Sequence, residues 1–578
     1  MTVETVKSNN KAEELKSEPV KTNGNLVEYD DLLSSAGEFG LYQILLFFST
    51  GIFYLFGVFV YYSQLFITQV SPNHWCWIPE LENLTDIERR TLGIPLDDGS
   101  RYGYSRCKAY AANWSEVLAN GLKPNESWAK TTCQYGWEFN KTEIPYPTIS
   151  SEMGWVCEKD SYQATAQGIF FCGSVIGGIL IGSIADRFGR LSALVTSNMI
   201  ACIAGIISAF SRNFMEFAIC RFFLGMSSDT CMTIAFLLVM EYVSPNYRTL
   251  ASCLAFALFY SSSVTTLPWL VLACGHWKTI ALATSIPLSL SLLVPFVIPE
   301  SPLWLLSKGR IDDAIKKILN ISRVNRKHIS QSQIENFRLS VLNRKKEESA
   351  SLLDVLRRPI LRNTFLKVCL VYSCTAVVFD ALVRSIGQLN FDFFVSFSVI
   401  SFTECPSLLI TAFIMDSTGR KLLSATVLTI GAVFSVLTAF VGSGLPSVLC
   451  AVVARFAINM AFQAGQQWGP EVLPTSVRAT GAATIHIVAT IFTILSPYIV
   501  YLETYIHWLP LVLVGCVAGA GAVTALTLPE TAKRDLPQTF EDAEMLVTSQ
   551  KLFSFSGLIN ITQMSISHHL TLKILKYI

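Results

Sequence analysis

Charged residues are scarce in this chain, and neither sign is in excess. Only 15% of its 578 residues are Asp, Glu, Lys or Arg, 51% are hydrophobic, and the formal net charge is +1. A soluble protein could not cover so much apolar side chain with a polar surface. The chain also lacks the basic stripe with interleaved aromatic residues that nucleic-acid binding requires. We therefore expect no nucleic-acid partner.

Sequence motifs of enzymes and cofactor sites are missing as well. The chain contains no G-x-S-x-G, H-E-x-x-H or phosphate-loop motif and no paired Cys/His metal spacing. We therefore expect a protein that is not an enzyme and that binds no metal or cofactor. The polar segment 1–38 lacks the apolar region of a cleavable signal peptide, so the first apolar run is expected to remain as a helix.

Long apolar runs are abundant, and twelve of them reach the roughly 20 residues that a membrane-crossing helix needs. The chain is therefore predicted to be an all-α membrane protein of twelve transmembrane helices in two six-helix halves, 41–298 and 364–527. The remainder divides into an N-terminal segment 1–40, a linker 299–363 and a tail 528–578. The predicted spans lie at about 41–62, 162–184, 191–210, 214–239, 250–272, 278–298, 364–384, 391–414, 422–441, 445–468, 479–501 and 505–527.

The two halves repeat one another. The block Asp186–Arg190 (D-R-F-G-R) returns 230 residues later as Asp416–Arg420 (D-S-T-G-R), and Pro299-Glu300-Ser301 returns as Pro529-Glu530-Thr531. Duplicated charged hairpins between apolar runs are typical of two-halved transporters. Simple anchoring of the cytoplasmic loops is the alternative, but anchoring does not require copied spacing. We predict that the following residues form a gate: Asp186, Arg187, Arg190, Arg221, Glu241, Arg248, Glu300, Asp416, Arg420, Arg455, Glu471, Arg478 and Glu530.

Lys and Arg residues set the expected orientation. They crowd the linker 299–363 and the hairpins, and the positive-inside rule places that side, with both termini, in the cytoplasm. Segment 70–160 is then extracellular. It holds four cysteines, which suggest two disulfides with three alternative pairings, and four glycosylation sequons. The cysteines are Cys76, Cys107, Cys133 and Cys157, and the sequon asparagines are Asn83, Asn113, Asn125 and Asn140.

Several motifs carry a resemblance to a known family. They include the D-x-x-G-R hairpins, the segment Pro299–Leu305 (P-E-S-P-L-W-L) and the segment Pro470–Arg478 (P-E-V-L-P-T-S-V-R). Together with the large loop after the first span, they resemble the major facilitator superfamily. Within it, the chain is similar to the organic cation and carnitine transporter family, which also includes organic anion carriers. Leu303 and Leu191 depart from the family pattern, which commonly has basic residues there.

Ionisable residues inside spans are costly and are usually functional. Asp229, Glu404, Asp380 and Arg384 are the candidates for substrate binding. Mutual neutralisation is the alternative for Asp380 and Arg384, which are four residues apart on one helix. A packing hydrogen bond is the alternative for Glu404, next to the helix-disrupting Pro406. Three acids against one base favour a cationic substrate, with Arg221 and Arg455 left out of this count as helix-packing residues.

The resemblance adds further substrate-binding positions. Glu404, Gln463 and Tyr372 match pocket residues of the family, while Asp229 stands where cation carriers often have Lys. Thr490 stands where cation carriers often have an acid and anion carriers a base, which implies that the acid has moved to Asp229. His486 could take part in proton coupling, although a lone membrane histidine more often packs through a hydrogen bond.

These features together lead to an expected function. The chain is expected to be a plasma-membrane transporter of small organic cations or zwitterions, such as carnitine, β-alanine or carcinine, that works by alternating access. An organic anion carrier and a non-transporting ligand sensor are the alternatives. Coupling to sodium or protons, and self-association through the extracellular loop, are left open.

Overall fold

The computed structural model describes residues 28–97, 103–121, 123–125, 127–343, 351–389, 391–441 and 444–550. Within them, eleven helices are long and apolar enough to cross a membrane, and a shorter apolar helix supplies the twelfth span. Each coincides with a predicted span, and their ends differ by several residues. The spans are, in order, Leu41–Ile67, Cys157–Phe188, Arg190–Ser208, Phe214–Met240, Pro245–Cys274, Trp277–Val297, Pro359–Gly387, Phe393–Thr418, Arg420–Phe440, Leu445–Glu471, Thr475–Thr504 and Leu509–Ala525.

Shorter elements flank the spans. Before the first span lies the helix Tyr29–Ala36, and after the last lies Phe540–Thr548. The linker contains the helices Pro302–Ser307, Ile311–Val324, Gln331–Asn343 and Leu352–Arg357. The sixth span contains a 3₁₀ segment at Ile286–Leu293, and the eleventh is interrupted at Ile494 and Leu495. The fifth has a π-helical turn at Phe256–Ser261, and the eighth breaks at Thr403. The break in the eighth span lies next to Pro406. Proline has no backbone N–H, so the carbonyl four residues earlier lacks its helical hydrogen-bond donor.

Small residues bring the second and fourth spans into backbone contact. A Cβ atom added at Gly177 would lie 1.7 Å from the carbonyl oxygen of Met226, and one at Gly225 would lie 1.9 Å from that of Phe170. Close helix approach of this kind needs glycine. Gly178 and Gly182 of the second span take no part in this contact, because both face open space. Gly177 lies on the packed face of the same helix.

Apolar packing differs between the two ends of the bundle. We call the end near segment 70–160 the loop side and the end near the hairpins at 186–190 and 416–420 the hairpin side. On the loop side, one cluster joins both halves, for example Tyr62 and Phe66 with Phe394 and Phe397. On the hairpin side, one cluster contains residues of the second half with its flanking helices, and another contains the first half with the linker. The halves therefore share one apolar cluster on the loop side and have separate apolar clusters on the hairpin side.

Segment 70–160 forms a small folded unit with its own apolar cluster. Strand β1 (His74–Cys76) pairs antiparallel with β4 (Trp137–Phe139), and β2 (Lys108–Tyr110) pairs with β3 (Lys130–Thr132). Helices Asp86–Gly93, Trp114–Asn120 and Ile149–Met153 and the 3₁₀ turn Pro79–Leu81 complete it.

All four predicted cysteines of this unit are paired. The two disulfides are Cys76–Cys133 and Cys107–Cys157, which selects one of the three pairings that the sequence left open. Asn83, Asn113 and Asn125 are exposed, and Asn140 is partly exposed. Their side chains are thus placed where a glycan could be attached, and glycosylation itself stays a prediction.

His74 makes the folded unit of segment 70–160 sensitive to acid. Burial lowers the pKa of His74 from 6.5 to about 4, so the fold favours the neutral imidazole. Its contribution to stability is complete above pH 6.5 and is lost as the pH falls from 6.5 towards 4. We expect amides of β1 and β4 to lose hydrogen-exchange protection across this range, after correction for intrinsic exchange. His74→Gln should remove most of this pH dependence, and an unchanged profile in that variant would contradict the assignment.

Candidate functional site

An acid and a histidine meet where the two halves face each other. Asp229 lies near the middle of the fourth span, and His486 lies in the eleventh span, 257 residues away. Their side chains are joined by a 2.9 Å contact between Oδ2 and Nε2. The Asp229 side chain is 34% exposed and that of His486 is 45% exposed. The pair therefore connects the halves and still borders accessible space between them.

Aromatic residues of the second half lie beside this pair. The ring of Tyr372 is 6.4 Å from that of His486 and stacks on Phe462 at 5.4 Å, and Phe462 stacks in turn on Phe379 at 4.8 Å. Thr490 is one turn from His486 and donates to its carbonyl oxygen. An acid next to stacked aromatic rings can hold an organic cation by ion pairing and by cation–π attraction.

The other acidic candidates are neutralised by arginines. Glu404 accepts a 2.5 Å hydrogen bond from Arg455, and both side chains are buried. Arg455 also donates to the carbonyl oxygen of Phe379 and lies over its ring. The count of three embedded acids against one base was therefore misleading, because Arg455 balances Glu404.

Asp380 and Arg384 neutralise each other, as the alternative interpretation held. Arg384 Nε lies 2.6 Å from Asp380 Oδ2. Asp380 also accepts from Ser496 of the eleventh span at 2.6 Å and from Tyr61 of the first span at 3.4 Å. The pair lies near the loop-side end of the seventh span, where it contributes to contact between the halves. Among the acidic substrate-site candidates, Asp229 alone does not face an arginine.

Gln463, a predicted substrate-site residue, and Arg221 and Arg455, two predicted gate residues, lie inside the spans. The side chain of Gln463 is partly exposed on the tenth span. Arg221 and Arg455 lie within the loop-side half of their spans, away from the hairpins. Arg221 donates from Nε to Oε1 of Gln64 at 2.7 Å and is 1% exposed. Neither arginine is placed to pair with the hairpin residues with which the sequence grouped them.

The first hairpin network connects three elements of its own half. Arg190 contacts Asp186 at 2.8 Å and Glu241 at 3.2 Å. The carboxylate of Glu300 accepts from the backbone amides of Arg190 and Leu191, at the N-terminus of the third span. A carboxylate there meets unpaired amides and the positive end of the helix dipole.

The second half repeats this network contact by contact. Arg420 contacts Asp416 at 2.9 Å and Glu471 at 3.1 Å. Glu530 accepts from the backbone amides of Arg420 and Lys421. The repeated motifs thus form the same ion-pair and hydrogen-bond network in both halves, and each network joins residues of one half only.

Three further predicted gate residues lie apart from these networks. Arg248 pairs with Asp30 at 2.7 Å, and Arg478 donates to the carbonyl oxygens of Leu473 and Pro537. Arg187 packs over the ring of Phe188. Of the predicted gate residues, Glu241 thus pairs with the hairpin residue Arg190, whereas the guanidinium of Arg248 pairs with Asp30.

Glycine is required where the hairpin backbone meets the glutamate. Gly189 has φ +104°, and a Cβ atom there would lie 2.2 Å from Oε2 of Glu300. We expect Gly189→Ala to lower the stability of the detergent-solubilised protein by about 1–3 kcal/mol, the usual cost of a strained backbone residue. Gly178→Ala, whose Cβ meets open space, is the matched control and should melt like the parent. Equal melting temperatures for all three proteins would contradict this role of Gly189.

Several transporters are similar in sequence to this chain over most of its length. A carcinine transporter of Drosophila melanogaster is 29% identical over 89% of this chain and 79% of its own length. The human organic cation/carnitine transporter 2 is 28% identical, over 89% and 93% respectively. A β-alanine transporter of Drosophila melanogaster is 27% identical over 90% of each.

Solved structures and a family profile agree on the fold. The inward-open xylose transporter of E. coli superposes with a TM-score of 0.53 at 15% identity, covering 87% of this chain and 99% of its own. This likeness, with twelve spans in two halves, shows the fold of the major facilitator superfamily. Residues 116–542 match the family described as sugar (and other) transporter. The match covers well over half of the sequence, so the chain belongs to the sugar (and other) transporter family.

Proposed function

We propose that this protein carries small organic cations or zwitterions across the plasma membrane by alternating access, with Asp229 as the counterion of the substrate. The observation that carries the proposal is the contact between Asp229 and His486 across the two halves. An amine entering the space between the halves can replace the imidazole as the partner of Asp229. The pair would then be broken and remade in each transport cycle.

The remaining substrate-site candidates fit around this counterion. Tyr372 supplies an aromatic wall, and Gln463 and Thr490 supply hydrogen-bonding groups from the tenth and eleventh spans. The relatives named for carcinine, carnitine and β-alanine support substrates of this class, since all three compounds carry an amine or quaternary ammonium group. Glu404 and Asp380 are the weaker candidates, because each already has an arginine partner.

The packing of the halves supports a cycle of two states. We propose that the loop side is extracellular and the hairpin side cytoplasmic, with both termini in the cytoplasm. The structure then corresponds to a carrier that is closed towards the outside, where the halves share one apolar cluster. Opening that seal while joining the hairpin-side cores gives the opposite state. In that state the exposed Asp186 and Asp416 could contact the other half.

Membrane potential can drive the accumulation of a cation. One elementary charge moving through 100 mV gains about 2.3 kcal/mol. We propose that this is sufficient for uptake of a permanent cation without a second ion. Replacing sodium with lithium, or removing the pH gradient, tests for a coupling ion directly when the membrane potential is clamped: at constant potential, either change reduces the substrate current only if that ion is carried along.

Uptake by cells expressing the protein tests the proposed class of substrate. We expect saturable uptake of radiolabelled tetraethylammonium, carcinine, carnitine or β-alanine, and inhibition of that uptake by other organic cations. Organic anions without an amine should neither enter nor inhibit. Saturable uptake of such anions, with none of the four amines carried, would overturn the proposal in favour of an anion carrier. Specific binding of an amine without any uptake would indicate a sensor.

A further inference from the structure

Arg221 is a buried charge that has no carboxylate in contact with it among the described residues. Its side chain is 1% exposed, and its Nη2 atom has no hydrogen-bond partner there. The guanidinium contacts Gln64 through Nε and lies 5.3 Å from the ring centroid of Phe170 and 5.7 Å from that of Phe217. An unneutralised charge inside the membrane is costly and ordinarily finds a counterion.

The other half shows which group is missing. Arg455 repeats Arg221 in the tenth span and contacts Glu404 of the eighth span. Glu404 corresponds in the second span to Ser174 by the offset of 230 that relates the hairpins, and to Phe170 by the offset of 234 that relates the two arginines. The ring of Phe170 contacts Arg221 and carries no charge. Ser174 is 8% exposed and carries no charge. One half thus contains a complete ion pair, and the other contains the arginine without its acid.

Two buried glutamines, of which Gln64 is hydrogen-bonded to Arg221 and Gln167 lines the same cavity as Gln64, also have unused polar atoms. Gln64 and Gln167 are both 2% exposed. The Nε2 atom of Gln64 and both amide atoms of Gln167 have no partner among the described residues. Buried amides of this kind normally have hydrogen bonds. Together with Arg221 they offer several N–H donors to a single acceptor.

A cavity on the loop side leads to these groups. It has a volume of about 660 Å³, and Gln64, Gln167 and Arg384 are among the residues that line it. Arg384 is neutralised by Asp380, so the region around Arg221, Arg384 and Asp380 has a formal charge of +1. Asp97, Asp160, Glu503 and Arg106 also line the cavity, and Arg221 itself does not. The cavity therefore gives a small ion a route from the loop side to the two glutamines, one of which is hydrogen-bonded to the guanidinium of Arg221.

We propose that Arg221, Gln64 and Gln167 form a binding site for a small anion, which takes the place that Glu404 occupies in the other half. The chemistry suits chloride and a carboxylate equally, since both accept hydrogen bonds and balance the guanidinium. The carboxylate could be that of a zwitterionic substrate. That case rests on the proposed function, whereas the chloride case does not.

Ser174→Glu is the most direct test, because it places a carboxylate at the position that corresponds to Glu404 by the offset of the hairpins. Ser174→Gln is the matched control of similar size without charge, and Arg221→Gln serves as a second variant should Ser174→Glu fail to fold. Melting temperatures of the purified full-length protein would be measured while sodium chloride replaces sodium methanesulfonate at constant ionic strength. A second series in chloride-free buffer would compare β-alanine with β-alaninamide, which lacks the carboxylate.

We expect chloride, β-alanine or both to raise the melting temperature of the parent and of Ser174→Gln in a saturable manner. The rise with chloride, and the part of the β-alanine rise that exceeds the β-alaninamide rise, should be lost in Ser174→Glu and in Arg221→Gln. β-Alaninamide, whose amine can pair with Asp229, should shift all of these proteins alike. A rise with chloride identifies a free anion, and an excess of the β-alanine rise over the β-alaninamide rise identifies the substrate carboxylate. Equal shifts in the parent and Ser174→Glu, or no shift with either ligand, would overturn the proposal. Tetraethylammonium uptake by the parent is judged separately, so failure of the transport proposal remains distinguishable.

Discussion

Asp229→Asn is expected to reduce the uptake of tetraethylammonium at least tenfold while the protein still reaches the cell surface. The substitution keeps the size of the side chain and removes the charge that balances the cation. Two unit charges 4 Å apart attract by about 4 kcal/mol at an effective dielectric constant of 20, and each 1.4 kcal/mol is a factor of ten in affinity. Initial uptake rates, normalised to surface protein by biotinylation, provide the measurement. Glu335→Gln, which alters an exposed acid of the linker, is the control and should be silent.

His486→Ala should act in the opposite direction on affinity. If the imidazole competes with the substrate for Asp229, its removal frees the carboxylate and lowers the KM for the cation. If the ion pair between Asp229 and His486 served only to stabilise the fold, Asp229→Asn and His486→Ala would both lower the amount of folded protein to a similar extent. Parallel losses in Asp229→Asn and His486→Ala, with unchanged KM for the remaining activity, would therefore contradict the competition.

Glu404→Gln is expected to have the largest effect on stability. It leaves the guanidinium of Arg455 in a buried position without its charge partner, and breaking a buried pair in this way typically costs about 3–5 kcal/mol. We expect a much lower melting temperature and reduced surface expression. The double variant Glu404→Gln/Arg455→Gln should regain part of that loss, because no lone charge remains.

The same variants decide between two roles of Glu404. The family resemblance implies that this residue contacts the substrate, whereas the structure places it in a buried pair with Arg455. A Glu404→Gln protein that melts like the parent but no longer takes up cations would support the substrate role and refute the structural one. A melting temperature that falls in the single variant and recovers in the double variant would support the pair.

Much of the architecture could be predicted because it depends on local patterns. Each span can be recognised from its own run of apolar residues, and the hairpin motifs appear twice in the sequence with the same spacing. The structure confirms the consequence in detail: Arg190 and Arg420 make matching contacts with Glu241 and Glu471. The four cysteines of segment 70–160 could be found by number alone, but their pairing depends on how β1 to β4 fold together.

The site was harder to predict, since its partners are far apart in the chain. Asp229 stood out as an acid within a span, yet nothing local indicated that His486 faces it from the other half. The same limitation produced the misleading charge count. Arg455 was set aside as a packing residue, and its contact with Glu404 joins two different spans. Helix faces posed a similar problem, as Gly177 and Gly178 are neighbours in sequence and only one of them is packed.

Electrical recording tests the central claim most directly, because it detects movement of the charged substrate itself. Tetraethylammonium applied to voltage-clamped oocytes expressing the protein should produce an inward current that grows as the membrane potential becomes more negative. The current should saturate with concentration and be absent in Asp229→Asn at matched surface level. A current of the same size in Asp229→Asn, or saturable transport confined to organic anions, would contradict the account of a cation carrier built around Asp229.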